Sequence, residues 1–470
     1  MAPRTLCWLL LFVLVGALAL RTHAILQPAD SDTLYREHAT YQYLRDIIKE
    51  RYVEEVDKEL EEKIFFGAME GMTSSLDPHS RFFPPKEYEQ FEIQTMGQLE
   101  GIGVELDPMD ARGITVLTPI LNTPAWRGGI LPGDVILKID GQSTDKMTAE
   151  QARSLIKGPE GSSVTLTIQH EGESSPVEIT LQRAVVDVPS VPVAEMLGTE
   201  WIADGAQKIG YVQVTGFQQK TSEDIEEALN KLEAEGMQAL ILDLRQNHGG
   251  LLRSAEEICD FFLKDGPIVS VIGRRGEDGR AVEQTTYAKD TGTHPNYPVV
   301  VLIDGESASA SEIVSGCLKD RGRAVLVGDK SYGKFSVQEV IPVPLVKFGR
   351  AALKLTTAKY KTPVGECEDG KGIVPDYLVP STPEQQRALK LDRFQRHLKD
   401  NNPRSERPVK NVHEVYGQKN DKGEKKPVEP FVDQQLKKAV EVAILRLKTP
   451  VPAPSDNPTA AQLETKKSDK

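Results

Sequence analysis

Three alternating serines stand first among the residues able to do chemistry. The apolar run Val299 to Ile303 ends in Asp304-Gly305-Glu306-Ser307-Ala308-Ser309-Ala310-Ser311-Glu312, a pattern that predicts a buried strand, a tight turn and the start of a helix. Unpaired N–H groups and the positive end of the helix dipole at such a junction can stabilise an alkoxide and a tetrahedral oxyanion. The same residues also suit plain capping, because Ser309-x-x-Glu312 spells a capping box. A serine nucleophile further needs a base. The sequence contains no Gly-x-Ser-x-Gly elbow, and its eight histidines are scattered without a partner pattern, so a Ser-His-Asp triad has no local support. Lysine can replace histidine if burial lowers its pKa from about 10.4 by roughly three units, or ~4 kcal/mol. Lys334 lies in Tyr332-Gly333-Lys334-Phe335, after a buried strand and a turn, with Phe335 and Val337 to supply apolar surroundings; a solvated surface lysine is the alternative. Gln338 follows at i+4 and can orient the amine if the segment is one helical turn, although Ser336 to Val340 reads equally well as a strand.

The elements that must position these residues form an α/β pattern after Ala184. Ile209 to Val214, Ala239 to Leu244, Val299 to Ile303 and Ala324 to Val327 read as buried strands, and Ser222 to Glu235, Ser254 to Leu263 and Ser309 to Lys319 as the helices between them. Upstream, from Gln98 to Arg183, short β-type runs (Ile114 to Leu117, Val135 to Ile139, Val164 to Ile168) alternate with Gly/Pro/Asp turns around one helix, Thr148 to Ile156. From Asp32 to about Met96 the pattern is helical. Asp57 can cap a segment in which Leu60, Ile64, Ala68 and Met72 share a face; Ser75 to Ser80 breaks it, and Pro84-Pro85 can open the next helix. Beyond about Leu391 the chain is polar, with one amphipathic stretch from Val432 to Leu447 and a Pro/Ala/Ser/Lys tail from Thr449 that reads as disordered.

A chain of 470 residues suggests about three domains and is long enough to bury a real core. With 27% charged and 39% hydrophobic residues it is neither collagen-like, disordered nor a polytopic membrane protein. Its 57 Lys and Arg against 70 Asp and Glu leave a net charge of −13, which argues against nucleic acid as a partner. Arg4, the apolar run Leu6 to Leu20 and Thr22-His23-Ala24 form a signal peptide with cleavage at Ala24. The expected location is therefore outside the cytoplasm, in the periplasm or cell envelope, with membrane anchoring through residues 6–20 as the alternative. Cys7, Cys259, Cys317 and Cys367 have no C-x-x-C spacing, and loss of Cys7 with the leader leaves at most one intramolecular disulfide, of unspecified pairing.

Several segments together resemble the carboxyl-terminal processing (tail-specific) peptidases. They are Ser307-Ala308-Ser309-Ala310-Ser311-Glu312-Ile313, Arg323-Ala324-Val325-Leu326-Val327-Gly328, Gly333-Lys334-x-Ser336-Val337-Gln338, Leu76-Asp77-Pro78-His79-Ser80, Leu240-Ile241-Leu242-Asp243-Leu244-Arg245-x-Asn247-x-Gly249-Gly250 and Gly372-Ile373-Val374-Pro375-Asp376. The resemblance spans about Asp32 to Pro380, with Asp433-Gln434-Gln435-Leu436 as a fainter match. It implies an α/β peptidase core of the ClpP/crotonase type and a serine endopeptidase without cofactor or metal. In that family nucleophile and base stand 25 positions apart, which selects Ser309 for Lys334; Gln338 matches the residue that orients the lysine. The first oxyanion donor would be the N–H of Ala310, and the resemblance suggests Gly250 of the Gly249-Gly250 pair as the second, with a plain turn as the other reading. Asp243 and Arg245 suit a structural ion pair as well as a catalytic role. Two residues depart from the family pattern: His248 stands at a common proline position and Phe335 at a common glycine position. The Phe335 ring either lines the cleft beside the base or turns into the core.

Gly101-Ile102-Gly103-Val104, with Pro124-Ala125 and Leu131-Pro132-Gly133-Asp134 downstream, resembles a PDZ domain. Its glycine loop would receive a substrate's free C-terminal carboxylate while the adjoining strand edge accepts the peptide. The expected organisation is a signal peptide (1–24), an N-terminal helical region (32–97) able to mediate a homodimer, a PDZ domain (98–183), an α/β peptidase core (184–390), a polar and helical extension (391–448) and a tail (449–470). Ser331-Tyr332-Gly333-Lys334 spells the Ser-x-x-Lys of penicillin-recognising enzymes, but Gly333 interrupts the helix it needs and no Ser-Asp-Asn follows. A C-terminus-binding scaffold that has lost catalysis is the remaining alternative.

Overall fold

The computed structural model describes residues 31–107, 110–120, 122–170, 173–202, 207–276, 280–290, 292–345, 349–365, 369–401 and 431–449. Two compact units divide the chain between Leu76 and Asp77. The first contains the helices Ser31–Arg51 and Lys58–Ser74. Asp57 caps the second helix, its Oδ1 accepting the N–H of Leu60 at 2.8 Å. Tyr43, Leu44, Ile48, Tyr52 and Val53 are exposed. The expected signal segment, its cleavage site, Cys7, Cys367 and the C-terminal tail lie outside the described residues. Among the described residues no helix is long and apolar enough to cross a membrane.

The second unit opens with a departure from the helical pattern expected through Met96. Arg81–Phe83 is a strand, paired antiparallel with residues 352–354. Phe82 and Phe83 are buried there, and burial against a sheet outweighs the local helical periodicity. Pro85 then opens the helix Pro85–Thr95, its missing N–H costing nothing at a first turn.

The β-rich segment folds into an antiparallel sheet in the order Val104–Asp107, Thr115–Pro119, Val135–Ile139, Ser163–Gln169, Val177–Gln182. One helix, Ala149–Ile156, carries a complete Thr148/Gln151 capping box. Alternate residues of the strands, among them Val164, Leu166 and Ile168, fill a separate core with Ile102, Ala152 and Ile156. Gln98–Gly101 pairs with Ala184–Asp187, so the two ends of the module meet.

Downstream lies a six-stranded sheet in the order Val193–Met196, Ile209–Gln213, Ala239–Asp243, Val299–Ile303, Ala324–Gly328, Tyr377–Leu378, parallel except for the first strand. Its central strands are buried on both faces, which is why they read as unbroken apolar runs. On one face Leu240, Leu242, Val299 and Val301 pack with Leu229, Ile258 and Val314, which lie on the helices Thr221–Ala234, Leu252–Asp260 and Ala310–Asp320. On the other, Ile241, Val300 and Val327 meet Leu436, Ala439 and Val440 of the helix Gln434–Lys448.

A second, antiparallel sheet stands beside it. Its long strand Gly349–Lys361 pairs with Pro267–Arg275, Ser336–Leu345 and Arg81–Phe83, and Ala281–Tyr287 forms the far edge. Cys259 and Cys317 are free and fully buried in the core. Burial and the neighbouring Cys317 thiol hold Cys259 well above its ordinary pKa.

Candidate active site

The strand Val299–Ile303 delivers the three serines to the start of the helix Ala310–Asp320. Two of them are structural. The Ser307 hydroxyl donates to Leu244 O at 2.8 Å, the Ser311 hydroxyl donates to Asn247 O at 2.8 Å, and both residues are fully buried. Ser309 is half-buried and occupies the N-cap position with φ +56° and ψ −112°. A non-glycine residue with this backbone costs about 1–3 kcal/mol and persists only where its surroundings hold it. Asp304 supplies part of that hold, its Oδ1 accepting the N–H groups of Gln246, Glu306 and Ser307 at 3.0, 3.0 and 3.2 Å.

Lys334 arrives from the other side, in the loop between the strands Ala324–Gly328 and Ser336–Leu345. Gln338 therefore sits on a strand and not on a helical turn. A register shift between Val337 and Gln338 accompanies the contact of Lys334 Nζ with Gln338 Oε1, at 2.7 Å. The Gln338 amide is oriented in turn by donation to Ser336 Oγ at 3.0 Å and Thr356 Oγ1 at 3.1 Å. Thr356 donates to Asp77 Oδ1 at 3.1 Å, and Ser80 ties the same place down, donating to Asp77 Oδ2 at 2.6 Å and accepting from Thr356 N at 3.0 Å. The Asp77-Pro78-His79-Ser80 segment thus anchors a hydrogen-bond chain that ends on the lysine. Burial lowers the Lys334 pKa to about 8, helped by the charge of Lys354 and opposed by Glu312, Asp369 and Asp77.

Glu312 does more than cap a helix. Its buried carboxylate accepts from Ser331 Oγ at 2.5 Å and Gly333 N at 2.6 Å on Oε1, and from Ser309 N and Lys334 N, each at 2.8 Å, on Oε2. Four donors fill the lone pairs of an ionised carboxylate, although burial pushes the Glu312 pKa up. The capping-box spacing points to the contact with Ser309; the contacts with the lysine loop have no local signal.

Gly249 lies against the serine, and Gly250 against Phe217. A Cβ on Gly249 would stand 2.8 Å from Ser309 Cβ and 3.0 Å from Ala310 N. The Gly249 N–H donates to Asn247 Oδ1 at 2.9 Å. The N–H groups of Gly250 and Ala310 have no protein partner among the described residues. Phe335 is 2% exposed and packs edge to face on Tyr360, with ring centroids 5.3 Å apart. Its ring belongs to the main core, so the cleft-wall alternative is overturned: the apolar side of the loop faces the helix and sheet, not the solvent. His248 is exposed and makes no contact with Ser309 or Lys334 among the described hydrogen bonds. Asp243 and Arg245 are fully buried and form an ion pair at 2.6 Å that Asp433, Arg393 and Tyr211 complete at 2.9, 2.5 and 2.7 Å. Burial opposes the charge on Asp243, but Arg245 and Arg393 outweigh it and hold the pKa far below the usual carboxylate range. The cluster bolts the helices Pro383–Asn401 and Gln434–Lys448 to the sheet. Among the described residues no three His, Cys, Asp or Glu converge to hold a metal ion.

The loop Gly101–Val104 lines a largely apolar cleft of about 800 Å³ together with Leu106, Ile120, Trp126 and Ile156. Gly101 and Gly103 have φ of +150° and +79°, and Ile102 is buried beneath them. The strand Val104–Asp107 is an edge strand, with the helix Ala149–Ile156 forming the opposite wall. A second cavity of about 380 Å³ shares Glu105, Ile120, Pro192 and Thr215 with the cleft and reaches Gln246 and His248.

Residues 208–379 match the model of peptidase family S41, and residues 115–170 match that of the PDZ domain. The chain is 37% identical over 358 residues to the carboxy-terminal-processing protease of Bartonella bacilliformis, covering 75% of this chain and 78% of that protein. It belongs to the carboxyl-terminal-processing proteases of family S41. The carboxy-terminal processing protease CtpB of Bacillus subtilis is 34% identical over 356 residues, 74% of this chain and 70% of that one. Among solved structures, the photosystem II D1 C-terminal processing protease aligns over 72% of this chain and 92% of its own, at 25% identity and a TM-score of 0.45. This S41 protease is thus a multidomain α/β peptidase that carries a PDZ domain.

Proposed function

We propose that this protease is an exported serine endopeptidase in which Ser309 is the nucleophile and neutral Lys334 the general base. Gln338 orients the amine, and the N–H groups of Ala310 and Gly250 receive the oxyanion. The loop Gly101–Val104 takes the free C-terminal carboxylate of a protein or peptide substrate, so that the cut falls near that end. The observation that carries this proposal is that one oxygen, Glu312 Oε2, accepts the N–H of both Ser309 and Lys334, making a strained serine and a half-buried lysine parts of one frame. As Ser309 Oγ bonds the scissile carbonyl carbon, its proton passes to Lys334 Nζ; the tetrahedral intermediate collapses, and Lys334 returns the proton to the leaving amine. Water then attacks the acyl ester with Lys334 again as base, and Ser309 leaves with its proton restored. The chain of cavities from the glycine loop to His248, next to Gly249, offers the substrate a path between the two sites.

Labelling with an alkyl fluorophosphonate and hydrolysis of a peptide with a free C-terminus, on wild type and the Ser309→Ala and Lys334→Ala variants, test the dyad. Label and turnover are expected in the wild type, with no turnover in either variant; full turnover in one of them rejects its assigned role. A wild type that neither labels nor cleaves would leave the silent C-terminus-binding scaffold. A mature N-terminus at Ile25 would support export with cleavage, and sedimentation of wild type against Ile48→Asp tests a homodimer through the N-terminal helices.

A further inference from the structure

The strand Gly349–Lys361 carries one side chain that reaches the main chain of both proposed dyad members. Tyr360 Oη lies 2.9 Å from Ser309 O and 2.9 Å from Lys334 O, close enough for one hydroxyl proton to be shared between two carbonyls. The Tyr360 N–H donates to Phe335 O at 2.9 Å, its ring stands edge to face on Phe335, and the residue is 2% exposed. Backbone and ring are therefore both fixed to the lysine loop. Glu312 Oε2 fastens the amides of Ser309 and Lys334; Tyr360 fastens their carbonyls from a third element. Both segments need such support. Ser309 holds a left-handed φ, and Lys334 precedes a strand with an irregular register. Proton transfer requires the two heavy atoms to come within about 2.6–3.2 Å, so any slip between the two backbones acts directly on that distance.

We propose that Tyr360 is a positioning residue: its hydroxyl ties the carbonyl of the nucleophile to the carbonyl of the base and keeps Oγ and Nζ in register without touching substrate. This rests on the Ser309–Lys334 dyad proposed above.

Tyr360→Phe retains the ring and its contact with Phe335 and removes one oxygen. In the full-length protein, with a fluorogenic peptide bearing a free C-terminal carboxylate, kcat should fall about 10- to 100-fold at unchanged KM. The second-order rate of labelling by an alkyl fluorophosphonate, which needs no peptide positioning, should fall by a similar factor. Tyr297→Phe serves as control, removing another buried phenol hydroxyl that donates to Glu233 at 2.9 Å; it should lower the melting temperature with kcat unchanged. Wild-type kcat and labelling rate in Tyr360→Phe would overturn the proposal, as would a raised KM at constant kcat or an equal loss of kcat in Tyr297→Phe. If Tyr360→Phe melts too low to assay, 4-aminophenylalanine at position 360 returns a donor to the same ring position. Restored folding with restored kcat then supports the proposal, and restored folding without kcat rejects it. Ser309→Ala separates the two levels. Activity there removes the dyad itself, whereas a dead Ser309→Ala beside an unaffected Tyr360→Phe removes only the role of Tyr360.

Discussion

Two glycine pairs in this protease look alike in sequence and differ in what stands behind them. Gly249 and Gly250, with φ of +98° and +151°, are walled in by main chain: a Cβ would meet Ala308 O at 2.7 Å and Phe217 O at 2.1 Å. Gly101 and Gly103, with φ of +150° and +79°, are not walled in by main-chain oxygens. A Cβ on Gly103 would meet the Thr123 side chain at 2.5 Å, and on Gly101 nothing nearer than Lys157 Cα at 3.9 Å. Main-chain oxygens leave the first pair no room for a side chain, whereas at the second pair Gly103 meets Thr123, itself fixed as the cap of the helix Pro124–Arg127, and Gly101 is nearly open. The Gly249 N–H is already bound to Asn247, and close main-chain packing suits the proposed role of the Gly250 N–H as a donor fixed in advance, as a charge that exists only in a transition state requires. The open side at Gly101 suits the proposed approach of a peptide's C-terminal carboxylate to the loop.

The contrast breaks most readily at Gly250. Gly250→Ala keeps the N–H, but its Cβ would meet Phe217 O at 2.1 Å and push the donor out of place, so kcat should fall by up to about 10²- to 10³-fold, the loss typical of one oxyanion donor, with the affinity of the Ser309→Ala protein for a C-terminal peptide unchanged when Gly250→Ala is added. Turnover assays and fluorescence anisotropy measure the two halves; a near-wild-type kcat would remove Gly250 from the oxyanion hole. At the other pair, amidating the peptide's C-terminus should weaken binding about 10- to 100-fold, the worth of one charge-assisted contact of roughly 1.5–3 kcal/mol. Gly103→Ala should raise KM in the same direction with little change in kcat. Equal cleavage of the acid and the amide would reject carboxylate capture by the loop.

The two sites should also answer differently to pH. With Lys334 as the proposed base it must act neutral, and since its pKa is lowered to about 8, hydrolysis should rise about tenfold per pH unit below that value and level off above it. Peptide affinity of Ser309→Ala should stay flat from about pH 6 to 9, since among the described residues the cleft lining has no histidine or cysteine. A flat rate profile would show that the lysine is not the base. The smallest effect is expected from Thr356→Val, which breaks the chain from Asp77 to Gln338. It should reduce kcat only several-fold, since Ser336 still holds the Gln338 amide, and leave peptide affinity alone. A single neutral hydrogen bond is worth about 1 kcal/mol.

How much could be read in advance depended on how far apart the interacting residues lie in the chain. The buried strand Val299–Ile303, the turn and the serine helix are local patterns of apolar period and capping, and so are the capped helix Ala149–Ile156 and the strands of the parallel sheet. Ser309, Lys334 and Gln338 stand in short segments whose resemblance to the family implies their roles. Tertiary structure decided the rest. That Ser307 and Ser311 commit their hydroxyls to Leu244 and Asn247, more than sixty positions away, is visible only in the fold. The strand Arg81–Phe83 is too short to show a period, and it forms only because Gly349–Lys361 offers it a partner. Phe335 could have faced cleft or core, and the presence of Tyr360 behind it settled the matter. A sequence records a residue's chemistry and its preferences over three or four neighbours. The contacts of Glu312 with the lysine loop, of Asp77 with Thr356 and of Tyr360 with two carbonyls join distant segments, and such contacts exist only once burial of the sheets has brought those segments together.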